Sequence, residues 1–262
     1  MTGPQGTDPA APRPPGRGPG PAAAPPVAFA KPAPMHEGDY QWVYLWGWPI
    51  RAMHWIAAVC LVVLAVSGLY IGKPYFLTGG EASSHFLMGK VRLLHFGAAG
   101  LLVATGIVRS YWLFAGNRFE RWTALFPVRP RDWVNMWQQF KFYALIRKAE
   151  APRYLGHNPM QQLSYTGIYL LTLAVALTGF TLYGESSPSG FFHAVFAWVP
   201  PLLGGLQRVR FLHHISIWLF LIFIPIHVYL SLRADLLERT GVVSSIVSGG
   251  AFVPRNVKHV DE

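Results

Sequence analysis

The sequence predicts an all-α membrane protein built as a bundle of four transmembrane helices. Three observations lead there. Charged residues make up 13% of the chain and hydrophobic residues 52%, and that charge content is about half the soluble average. Four apolar runs are each long enough to cross about 30 Å of hydrocarbon as a helix, which closes its backbone hydrogen bonds within one segment. Lys and Arg fall mainly in alternate connections between those runs, as membrane orientation requires.

The elements follow in chain order. Residues 1–38 are rich in Pro, Gly and Ala and lack apolar periodicity. Such a segment buries too little surface to offset its ordering entropy, so it reads as a disordered cytoplasmic stretch. It has no continuous apolar core and does not read as a secretory signal. The membrane domain is expected over 39–250. Its first span, about 51–71, contains WIAAVCLVVLAVSGLYI, and its second, about 91–114, contains LLHFGAAGLLVATGIV. The third, about 161–183, contains GIYLLTLAVALTGFTLY, and the fourth, about 209–233, contains HISIWLFLIFIPIHVYL. Pro225 should kink the fourth, because it removes a backbone donor and clashes with the preceding turn. Between spans two and three, RDWVNMWQQFKFYALI (131–146) places Trp133, Trp137, Phe140 and Ala144 at helical spacing between basic flanks. That pattern predicts an interfacial helix. GFFHAVFAWVPPLLGG (190–205) is shorter and predicts an outer cap. Residues 251–262 form a cytoplasmic tail. No internal repeat of fixed period is visible.

With the N-terminus inside, the inner loops hold Arg51, Arg118, Arg121, Arg129, Arg131, Arg147, Lys148, Arg153, Arg233 and Arg239. The outer side holds Lys73, Lys90, Arg92, Arg208 and Arg210. The asymmetry places both termini in the cytoplasm of a multi-pass protein of the cell membrane. It also accounts for the net charge of +10, which in a soluble chain would point to nucleic acid. The single cysteine, Cys60, lies inside the first span. One thiol cannot hold an iron–sulfur cluster, so any such cluster belongs to a partner.

Four histidines lie inside the spans: His54, His95, His213 and His227. An ionisable side chain in hydrocarbon is costly, and one retained there faces a cofactor, a cavity or a partner. His213 and His227 are 14 residues apart on one helix. That separation is about 21 Å of rise and about 320° of rotation, so both point to nearly the same side at different depths. Topology matches His54 with His227 near the inner face and His95 with His213 near the outer face. Each pair can clamp one haem iron between two imidazoles, leaving no open position for a substrate, which suits electron transfer. His214 lies 13 residues from His227, about 220° away on the other face. His213 is therefore the favoured ligand and His214 a candidate secondary haem contact. Gly68, Gly97, Gly100, Gly106 and Gly179 lack bulk and would admit a flat macrocycle or a neighbouring helix. The competing reading is that each histidine merely hydrogen-bonds a neighbouring helix. Four at matched depths weigh against it.

Several segments carry a resemblance. They are HW at His54–Trp55, GEASSHFLMGKVRLLHF (80–96), GNRF (116–119), YLGHNP (154–159), GFTLYGE (179–185), PLLGG (201–205), the pair His213–His214 and IHVYLSLRAD (226–235). In order and with short gaps, they resemble the b-type cytochrome subunit of membrane-bound nickel–iron hydrogenases from about Tyr40 to Gly250. The chain is more distantly similar to the cytochrome subunits of formate dehydrogenases. Met53 stands where family members often carry Trp. The resemblance implies two haems b with His54, His95, His213 and His227 as axial ligands. It implies a periplasm-facing hydrogenase, made of a nickel–iron large subunit and an iron–sulfur small subunit, as electron donor. It implies a quinone as acceptor, with no hydrogen-splitting site in this chain. Arg51, His157 and Asn158 are candidates for the quinone site, with a helix-entry cap the competing role for His157–Asn158–Pro159. Three further readings stay open at this point: a cytochrome subunit of a formate dehydrogenase-like complex, a transporter using the histidines as a relay, and a plain membrane anchor. The lack of an internal repeat and the scarcity of membrane carboxylates weigh against the transporter.

Overall fold

The computed structural model describes residues 37–76, 79, 85–143, 153–238, 240–255 and 259. After a single 3-10 turn (Glu37–Asp39), the element order runs through strand β1 (Tyr40–Tyr44) and helix α1 (Trp48–Gly72). Helices α2 (Leu87–Ala115), α3 (Trp122–Leu125), α4 (Pro130–Tyr143) and α5 (Pro159–Gly184) follow. Two short helices, α6 (Phe191–Phe196) and α7 (Val199–Leu203), lead into α8 (Leu206–Glu238), α9 (Val242–Ser248) and strand β2 (Gly250–Pro254). Among the described residues, α1, α2, α5 and α8 are the four helices long and apolar enough to cross a membrane. They cover the four expected spans and extend each by one to a few residues. The expected N-terminal segment lies outside the described residues up to 36.

Local chemistry sets the ends. Pro49 opens α1, where its missing N–H is harmless and its fixed φ suits the first turn. A capping box opens α5: Asn158 Oδ1 accepts from the Gln161 N–H at 3.0 Å, and Gln161 Oε1 accepts from the Asn158 N–H at 2.9 Å. Helix α7 closes on Gly204 in the left-handed region (φ 86°), which costs a residue without Cβ little. Helix α8 runs unbroken through Pro225.

In the membrane, α1 packs along α2 and α5 along α8, and α1 touches α8 to join the two pairs. Large apolar side chains such as Val59, Leu101, Leu173 and Ile222 face outward along all four helices. That distribution is what a hydrocarbon solvent selects. Helix α4 is amphipathic, with Trp133, Trp137 and Phe140 exposed while Asp132 and Gln139 are buried; Ala144 lies outside the described residues.

Two features depart from the all-helical expectation. Strands β1 and β2 pair antiparallel, Tyr40 opposite Pro254 and Tyr44 opposite Gly250. The ribbon crosses the boundary expected at 250/251, so the segment expected as a tail begins inside a strand. A five-residue strand with little alternation carries no periodic signal of its own, and only its partner reveals it. The ribbon seals a small apolar core of Leu45, Phe119 and Ala251 at the start of α1. Leu45 N–H and Trp46 N–H both donate to the Gly249 carbonyl, at 2.9 and 2.8 Å.

Candidate cofactor site

The four intramembrane histidines meet as two pairs. His54 on α1 and His227 on α8 have ring centres 6.4 Å apart with an interplanar angle of 47°. His95 on α2 and His213 on α8 have ring centres 6.5 Å apart at 68°. The first pair lies toward the end where β1 enters α1 and is called the strand-side pair; the second is the far pair. All four side chains are partly buried. Among the described residues, no group of three or more His, Cys, Asp or Glu side chains could hold a metal ion, so each pair stands as two donors.

The surroundings of the far pair are built. Ser67 Oγ donates its proton to the Val63 carbonyl one turn back, at 2.6 Å. It lies 2.9 Å from His95 Nδ1 and therefore accepts the Nδ1–H. Thr178 Oγ1 likewise donates to the Ala174 carbonyl at 2.9 Å and lies 3.1 Å from His213 Nδ1, and the His213 imidazole also donates to the Val175 carbonyl. With each hydroxyl proton given to its own helix, this arrangement favours the tautomer that carries its proton on Nδ1 and keeps a lone pair on Nε2. The neighbouring glycines make room for the rings. A Cβ on Gly68 would sit 3.3 Å from His95 Cε1, and one on Gly179 would sit 3.1 Å from His213 Cε1. A Cβ on Gly97, Gly100 or Gly106 would meet nothing within 4 Å. At the strand-side pair, His227 stacks on Phe223 at 5.5 Å, and among the described residues the buried His54 Nδ1 has no hydrogen-bond partner.

His214 takes no part in either pair. Its ring rests on α1, where a Cβ at Gly72 would lie 2.5 Å from His214 Cε1. The three candidates for a quinone site do not all serve one cavity. Arg51 Nη1 donates to the Val247 carbonyl. The Asn158 carboxamide oxygen is committed to the α5 cap. His157 packs between Trp46 and Tyr165, with ring centres 4.8 and 4.9 Å away. It lines a cavity of about 290 Å³ together with Arg118, Arg121, Arg129, Asp132 and Gln162. Burial first, then the Arg109 guanidinium, push its imidazole down to about 4.

The sequence model of the family described as prokaryotic cytochrome b561 matches residues 45–249. The chain belongs to this family. Among its relatives, a protein of Cupriavidus necator called a probable Ni/Fe-hydrogenase B-type cytochrome subunit is 40% identical over 209 residues, 79% of this chain and 85% of the relative. One from Azotobacter chroococcum with the same description is 38% identical, over 79% of this chain and 87% of the relative. A protein of Escherichia coli K12 called a probable Ni/Fe-hydrogenase 1 B-type cytochrome subunit is 35% identical, over 79% of this chain and 89% of the relative.

Membership of a cytochrome b family implies haem b, and the histidine pairs fit it. Two imidazoles bound to opposite sides of one metal ion, with metal–nitrogen bonds of about 2.0 Å and about 1.1 Å from nitrogen to ring centre, have centres about 6.2 Å apart. The observed 6.4 and 6.5 Å match that spacing. Sequence reasoning missed Ser67 and Thr178. Each begins a hydroxyl–glycine dipeptide, Ser67-Gly68 and Thr178-Gly179, but Thr105-Gly106 and Thr166-Gly167 repeat it, so the dipeptide alone does not single them out. The hydroxyl holds the ring nitrogen and the glycine clears the ring edge.

Proposed function

We propose that this cytochrome is the membrane-embedded electron carrier of a nickel–iron hydrogenase complex. One haem b sits between His54 and His227 and a second between His95 and His213. The electron donor is the iron–sulfur small subunit, which works beside the nickel–iron large subunit, and the acceptor is a membrane quinone. The observation that carries this reading is the doubling on α8, which presents one imidazole to α2 and another to α1 at the spacing of axial ligands. The descriptions of the relatives supply the partner.

When bound, an iron held by two imidazoles changes charge by one electron and offers no open position, which suits electron transfer rather than oxygen chemistry. The chain's own residues provide the rest. Helix α8 holds His213 and His227 about 21 Å apart along its axis, most of the hydrocarbon thickness. Helices α1 and α2 supply the opposing rings. The outward apolar faces keep those rings in a medium that excludes water. At the quinone end, His157 is neutral near pH 7 and can exchange one hydrogen bond with a carbonyl or hydroxyl group. Arg51 and Asn158 stand outside the lining of the His157 cavity, committed to the Val247 carbonyl and the α5 cap. Both termini lie in the cytoplasm and the hydrogenase works on the opposite face, a reading the basic loops support.

A pyridine haemochrome assay on the purified full-length chain tests this. We expect two haems b per polypeptide, with one lost in His95→Ala and one lost in His227→Ala. A colourless wild-type protein, or a His95→Ala protein with its full complement, would refute the proposal.

A further inference from the structure

The two histidine pairs differ in what holds their outer nitrogens. In the far pair both Nδ1 atoms lie within hydrogen-bond distance of hydroxyls that are themselves buried, Ser67 4% and Thr178 7% exposed, with the Val175 carbonyl a second partner for His213. In the strand-side pair the buried His54 Nδ1 lacks such a partner among the described residues. Hydroxyls that bond back to the preceding turn are common in these helices: Thr105, Ser110, Thr166, Thr172 and Ser216 do the same. Among the described residues, Ser67 and Thr178 are the ones whose oxygen also meets a histidine ring. They come from α1 and α5, the two spans that supply no imidazole to the far pair. Each is followed by the glycine against which the same ring lies. Two unrelated helices thus place the same hydroxyl–glycine device on the two rings of one pair.

The chemistry of that device is directional. A metal-bound imidazole that donates its remaining N–H becomes a more basic ligand. A more basic axial ligand stabilises the oxidised iron and lowers its reduction potential, one of the protein's recognised levers on haem. We infer that Ser67 and Thr178 are positioning residues that hold the far haem at a lower potential than the strand-side haem, so that electrons entering at the far end pass downhill toward the strand end. The inference rests on the reading that each histidine pair holds one haem.

Potentiometric titration of the purified full-length chain, followed by its visible spectrum, tests it. The far couple is identified as the one lost in His95→Ala, which separates this test from the haem count. We expect the far couple to be the lower of the two. In Ser67→Ala and in Thr178→Val it should rise by a three- to tenfold change in its reduction equilibrium, about 30–60 mV at 59 mV per tenfold for one electron. The other couple should stay in place, and Ser67→Thr and Thr178→Ser should restore the wild-type value. If Ser67→Ala sheds its haem, Ser67→Cys keeps the volume with a weak acceptor and should show the same rise. Two haems per chain with an unmoved far couple in these variants would overturn the inference, as would a shift confined to the strand-side couple. A far couple above the strand-side couple in the wild type would overturn the downhill direction.

Discussion

His157 carries a consequence for acid stability. Burial and Arg109 hold its imidazole at about 4 in the folded protein, against 6.5 for the free group. The folded state therefore binds this proton less readily than the unfolded chain. The contribution is fully present above about pH 6.5 and is lost as pH falls toward 4. We expect the thermal midpoint of the purified protein to drop across that window, and His157→Gln to flatten the drop. An unchanged slope in His157→Gln would show that the acid sensitivity lies elsewhere. The same residue scale holds the contrast between His213 and His214. Adjacent in sequence, they differ by about 100° around the helix, and one ring faces His95 while the other rests on Gly72.

Elements are tied together at the strand end by one buried carboxylate. Glu120 is 2% exposed. Its Oε1 accepts from the Gly47 N–H at the start of α1, and its Oε2 accepts from Trp112 Nε1–H at 2.8 Å and the Asn117 N–H at 3.2 Å. Its backbone carbonyl accepts from Arg109 Nη2 at 3.2 Å. Beside it, Asn117 Nδ2 donates to the Leu45 carbonyl at 2.9 Å. The turn after α2 thereby clamps the entry to α1. Removing the carboxylate strands three donors in a dry site, a loss on the order of 3 kcal/mol. Glu120→Ala should lower the thermal midpoint of the purified protein markedly and Glu120→Gln by less. A Glu120→Ala protein as stable as wild type would mean that water replaces the carboxylate.

At the scale of the whole molecule, the membrane sorts the residues. Apolar side chains face outward on four helices, the aromatic face of α4 is exposed, and the ribbon with its small core caps one end. Basic residues gather at the end that carries α3, α4 and the strands, which the proposed orientation puts in the cytoplasm. A green fluorescent protein fused after Glu262 should fluoresce, and an alkaline phosphatase fused there should stay inactive. The opposite result would invert the bundle and with it the proposed direction of electron flow.

By itself the sequence determined the four spans, because hydrocarbon leaves a helix few alternatives and twenty apolar residues declare one. It also determined which histidines share a depth, since rise and rotation along α8 are properties of any α-helix. The tertiary structure decided the rest. The β1–β2 ribbon joins segments some 200 residues apart and has no local signature. Glu120 reads as an ordinary loop acid until Gly47, Trp112 and Asn117 converge on it. Ser67 and Thr178 read as common membrane hydroxyls until the packing of α1 on α2 and of α5 on α8 sets each against a ring nitrogen. Depth along a helix is one-dimensional and can be counted from residue spacing, whereas a hydrogen bond between helices depends on how the helices are turned toward one another, which only packing fixes.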